Sequence, residues 1–263
     1  VPTSGCQRVT EGRSVMPAHT SGNALPEQQP ESVYLKQQQA GVIGNKSLTA
    51  LVSLVLLMLI IVELVTSAFL HIWLPAHTVV GVLLAGPLLL KMGATGWRFL
   101  RYYTRVPAYV RRGPPPLVLR VLGPVLLVTT LVMVGSGIGL VVAGPLQSLL
   151  LAHVFSTLLW LPLIAVHSLA HILQALRSIA ADWSRRQGSC FPVGRVWRLG
   201  TNLGALALGV IGAWLLFPAV TPLFTWSQTH VIGVGPFLVG MGAALLVILF
   251  TRPWRWGRSA KGT

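Results

Sequence analysis

The chain has 263 residues, of which 53% are hydrophobic and only 10% charged, and its mean hydropathy is +0.71. A soluble domain of this size rarely hides several apolar runs of about 20 residues, so the composition excludes an ordinary aqueous globule and points to an integral membrane protein. The formal net charge of +15 raises nucleic acid as a partner, a reading that depends on where the basic residues lie.

Residues 1–46 are rich in Gln, Ser, Gly, Pro and Glu, with QQPESVYLKQQQ at 28–39 and no apolar periodicity, and they read as a disordered tail. The tail has no short apolar core ahead of a small-residue cleavage site, so no secretory signal is expected; Val1 and Met16 both stand as starts. Apolar segments then predict an all-α polytopic membrane protein with six spans at about 47–70, 77–94, 117–143, 149–176, 199–217 and 231–250, followed by a basic tail at 251–263. HIWLPA turns the chain after the first span, Pro87 is expected to kink the second, and RRGPPP at 111–116 cannot be regular helix. Trp97 to Tyr109 interleaves Arg with aromatics, the composition of an interfacial anchor. Ala205, Gly209 and Ala213, and Gly240 with Ala244, form rows of small residues suited to helix packing. Cys6 and Cys190 make neither a metal pair nor a disulfide framework and read as two reduced thiols.

The basic residues lie on one side of this topology. Lys91, Arg98, Arg101, Arg105, Arg111, Arg112 and Arg120 run from the end of span two to the start of span three, Arg177 to Arg198 lie between four and five, and Arg252 to Lys261 at the end. The three opposite loops contain no Lys or Arg. The excess therefore predicts both termini in the cytoplasm of a plasma (inner) membrane, and the charge is a topology signal rather than a nucleic-acid footprint.

Histidines in the fourth span are the strongest functional signal, because polar groups at membrane depth need a partner. His153 and His167 are 14 residues apart, about 21 Å along a helix and about 40° short of four full turns, so both point to nearly one side. His171 follows one turn after His167, and Pro162 lies between the outer and inner positions. His77 opens the second span at the level of His153, and two histidines on antiparallel helices at one depth can clamp a haem iron axially. The residue 14 beyond His77 is Lys91, which reads as a cation that snorkels to the cytoplasmic face or pairs with a haem propionate. Gly123 and Gly137 repeat the spacing in span three and would give a planar macrocycle clearance. Glu63, the one carboxylate within a span, and His71 are candidates for a proton-relay or quinone site. Glu63 could equally accept a hydrogen bond from a histidine or from a neighbouring helix.

His77 in HIWLPAHTVVG, with His153 and His167 in HVFSTLLWLPLIAVH, resembles the pattern of b-type cytochrome membrane subunits: formate dehydrogenase gamma, nickel-iron hydrogenase cytochrome b and bacterial cytochrome b561. The resemblance covers about residues 47–177 and rests on spacing rather than on a signature. It implies a four-helix haem bundle, followed here by two further helices, that exchanges electrons between a redox partner protein and quinone. His77 and His153 would hold an outer haem b, and His167 would supply one ligand of an inner haem. The family's remaining inner ligand has no matching histidine, and His71 or His171 would have to substitute. Beside this stands a reading of another class, a non-haem membrane protein serving as an accessory subunit or small transporter. No phosphate loop or nucleotide fingerprint stands in the polar segments, so the chain is at most the membrane electron-transfer subunit of an oxidoreductase.

Overall fold

The computed structural model describes residues 28–110, 117–184, 195–230 and 233–253. Residues 1–27 of the expected tail with Cys6 and His19, the RRGPPP loop, the basic loop containing Cys190 and the final tail from 254 onward lie outside the described residues. All regular structure among the described residues is helical.

Helix α1 runs Gln28–Ala68 and so begins inside the stretch that composition assigns to the tail. Its early part carries five Gln together with Glu31, Lys36 and Ala40, all good helix formers, and Pro30 falls in the first turn, where its missing N–H costs nothing. After a single break at Phe69, α2 spans Leu70–Tyr103, with a non-helical residue at Trp73 (φ −107°, ψ 21°) just ahead of Pro75. The reversal is thus tighter than the expected HIWLPA turn and most of that stretch is helical.

A short α3 (Pro107–Val110) precedes α4 (Leu117–Ala143), and Gly144, at φ 84°, turns the chain into α5 (Gln147–Ser184). Only glycine adopts that backbone without strain. Helix α6 (Arg195–Leu216) passes through a 3₁₀ turn at Phe217–Ala219 into α7 (Val220–Thr229), and α8 covers Gly235–Thr251. Residues 218–230, expected as an outer loop, are therefore almost wholly helical; Pro218 and Pro222 sit in first turns, where proline starts helices rather than ending them.

Five helical segments are long and apolar enough to cross a membrane: Gly44–Ala68, Leu70–Tyr103, Arg120–Ala143, Gln147–Ala180 and Val196–Thr229. Helix α8 is a shorter apolar helix of 17 residues. Large apolar side chains such as Trp214, Phe250 and Leu208 face outward, as hydrocarbon surroundings allow and water does not.

Helix α1 packs on α2 and α5, and α4 packs on α5 and α2, which closes a ring of four helices; α6 lies outside on α2, and α8 outside on α5. The α2–α6 seam is a backbone contact. A Cβ on Gly86 would collide with the Ala205 carbonyl, and one on Gly209 with the Leu83 carbonyl. Pro87 explains the second: without an N–H it cannot engage Leu83 O four residues back, so that carbonyl turns toward α6. The small-residue row at Ala205, Gly209 and Ala213 thus does serve helix packing, and Gly240 and Ala244 do the same for α8, where Gly240 meets Leu161 of α5.

Candidate functional site

The four-helix ring has two differently furnished ends. At one, the close of α1, the start of α2, the close of α4 and the start of α5 come together. Buried Leu74, Leu140, Val141, Val220 and Leu223 form an apolar cluster there, which draws α7 over this end, and Gln228 Nε2 donates to the His71 carbonyl at 3.1 Å.

Beneath this cap, His77 of α2 and His153 of α5 meet with ring centroids 6.2 Å apart and planes at 82°. His77 Nδ1 lies 3.1 Å from Glu63 Oε1 and 3.2 Å from Ser67 Oγ, both on α1. His153 Nδ1 lies 2.9 Å from the Met133 carbonyl and 3.4 Å from Ser136 Oγ, both on α4. A carbonyl can only accept, so His153 carries its proton on Nδ1, and in the neutral ring Nε2 presents the lone pair. Glu63 does the same for His77 when its oxygen accepts. Neither Nε2 has a hydrogen bond among the described residues. Outward-bonded Nδ1 with Nε2 left over is the usual arrangement of a histidine that ligates a metal.

Glycines set the clearance. A Cβ on Gly137 would come 3.0 Å from His153 Cε1, and one on Gly81 would come 3.2 Å from Glu63 Oε1. Glu63 Oε2 is buried without a partner among the described residues, an unusual cost for a carboxyl oxygen. Trp160 Nε1 donates to Thr130 Oγ1 at 2.8 Å and locks α5 to α4 below the pair.

At the other end, His167 and His171 stand one turn apart on α5 with centroids 4.9 Å apart. Within electrostatic reach of both is Lys91 of α2. Lys91 does not reach away from the bundle as a snorkelling side chain would: Nζ donates to the Thr49 carbonyl at 3.2 Å and to Ser53 Oγ, both on α1. Asn45 Nδ2 adds a bond from α1 to the Ala94 carbonyl at 3.2 Å. Farther along α2, the Arg101 guanidinium lies over the Trp97 ring, 4.4 Å from its centroid.

The structure therefore brings together His77, His153, Gly137 and Glu63, and separately His167, His171 and Lys91. It does not bring Gly123 or His71 to either group: Gly123 lies exposed with nothing within 4 Å of a Cβ placed on it, and the His71 side chain is exposed. Ser67, Gly81, Met133 and Ser136 were not singled out by sequence. Helical spacing offered a signal for two of them, since Ser67 is one turn from Glu63 and Gly81 one turn from His77. Among the described residues no group of three or more His, Cys, Asp or Glu side chains is placed to hold a metal ion. A cleft of about 580 Å³ between α2 and α6, lined by Gly86, Leu89, Ala205 and Leu208 among others, lies apart from both histidine groups.

The fold is thus that of an all-helical protein with helices suited to a lipid bilayer. Compared with protein-family models, curated proteins and solved structures, the chain has no match.

Proposed function

We propose that the chain is a haem b-containing integral membrane electron-transfer protein, similar to cytochrome b561-type subunits, that exchanges electrons with quinone or a redox partner protein. The observation that carries this reading is the His77 and His153 pair, two imidazoles from two helices with centroids 6.2 Å apart and both Nδ1 atoms committed elsewhere. With a metal–nitrogen bond of about 2 Å, His77 and His153 at this separation would hold one iron between them through Nε2. Haem iron held by two histidines supplies reversible one-electron chemistry.

The remaining work falls to the chain. Glu63 and Ser67 hold the His77 ring, Met133 and Ser136 hold His153, Gly137 keeps the space beside it, and the α7 cluster keeps water from this end. His167 and His171 project from one helix one turn apart and cannot face each other across an iron, so one haem per chain is the reading. Helix α8, at the short limit for crossing a bilayer, is the sixth span. The one-sided Lys and Arg distribution supports both termini in the cytoplasm of a plasma (inner) membrane.

The test is an absorption spectrum of the detergent-purified protein from haem-sufficient cells, reduced with dithionite. A sharp alpha band is expected. Its absence overturns the cytochrome reading and leaves the non-haem accessory subunit.

A further inference from the structure

Lys91 is a buried-facing cation whose two acceptors, the Thr49 carbonyl and the Ser53 hydroxyl, are both uncharged. Among the residues whose side chains are described, the only carboxylate is Glu63, and it is bonded to His77 at the opposite end of the bundle. An ammonium in low-dielectric surroundings without a counter-charge is costly, so this end of the bundle favours an anion. Lysine has three N–H donors, and one remains after Thr49 and Ser53.

Within electrostatic reach of Lys91 stand the imidazoles of His167 and His171, with ring centroids 4.9 Å apart and both half-buried, so the cluster is lined by protein yet reachable from outside it. His167 has no hydrogen bond among the described residues. An ammonium with imidazole N–H groups within its reach suits an oxyanion with several acceptor oxygens. A neutral carbonyl, such as a quinone presents, would take a donor but leave the charge unmatched.

We propose that Lys91, His167 and His171 form a binding site for a phosphate oxyanion, carried by an anionic phospholipid headgroup or present as the free ion. The position supports it: basic recesses between membrane helices are where lipid headgroups are held, and Arg98 and Arg101 continue the positive stretch along α2. The site does not depend on the haem reading.

Full-length protein is reconstituted in vesicles of phosphatidylcholine containing phosphatidylglycerol, extracted gently, and the retained phosphatidylglycerol counted by native mass spectrometry. The wild-type chain should retain it in preference to phosphatidylcholine. Lys91→Met and His167→Leu should each lower retention about fivefold or more, and Lys91→Arg should keep it. A second arm measures binding of inorganic phosphate to protein in phosphatidylcholine alone; binding there that Lys91→Met abolishes assigns the site to the free ion. Retention unchanged in both variants, with no phosphate binding, overturns the proposal. Should Lys91→Met fail to fold for want of its bonds to α1, His167→Leu decides alone, because it removes no hydrogen bond between helices.

Discussion

The two ends of the four-helix ring start from the same material and finish differently. Both place histidines of α5 opposite a residue of α2, at positions 14 apart on each helix. At the capped end the α2 residue is His77, with the Glu63 carboxyl behind it and a glycine beside its partner His153. At the basic end it is Lys91, braced by Thr49 and Ser53, and the two histidines lie on one helix. One difference in the repeat, His at one end and Lys at the other, separates the pair we propose holds a haem iron from the cluster we propose holds an anion. Spacing along a helix sets where a side chain can be; the neighbour across the groove sets what it can do.

The largest effect expected is on haem content. Replacing His77 or His153 by Ala should abolish the alpha band, whereas His167→Ala and His171→Ala should leave haem per chain unchanged in a pyridine haemochrome assay. Loss of haem in either of the latter two would break the comparison.

The frame that holds α2 for both ends comes next. Gly209→Val drives a side chain into the Leu83 carbonyl, which belongs to backbone and cannot yield cheaply, so a loss of at least about 3 kcal/mol is expected. Thermal unfolding followed by size-exclusion fluorescence should show it as early aggregation.

Smaller is the effect of clearance. Gly137→Val crowds His153 and should lower haem occupancy several-fold, while Gly123→Val, in open space, should not. Equal behaviour of the two variants would remove Gly137 from the site.

Smallest, and the most informative about tuning, is Glu63→Gln. A weaker acceptor on Nδ1 makes His77 a less basic ligand, so the midpoint potential should rise by on the order of 50 mV, about 1 kcal/mol for one electron. A redox titration yielding an unchanged potential would show that the His77–Glu63 contact does not tune the haem.

Much of this was legible in the residues. Apolar runs and small-residue rows announced the helices and one of their seams, and the 14-residue spacing of His153 and His167, with His77 at the level of His153, picked out these histidines before any packing was visible. The α1 start and the α7 helix were missed for one reason: helix formation by polar or proline-containing stretches leaves little periodic signal. The acceptors Met133 and Ser136 were missed because a backbone carbonyl or a common serine carries no mark of its role until a histidine is beside it.

By itself the sequence determined the helical class, the membrane-suited composition and which residue types reach each level, since transfer free energy and rise per residue add up along the chain. Only the tertiary structure decided that Glu63 answers to His77, that Met133 orients His153, that Gly123 does nothing for either, and that Lys91 turns inward. Those outcomes depend on the rotation and register of one helix against another, and these are set by contacts such as Gly86 with Ala205 and Gly209 with Leu83, far apart in the chain and decided by close packing.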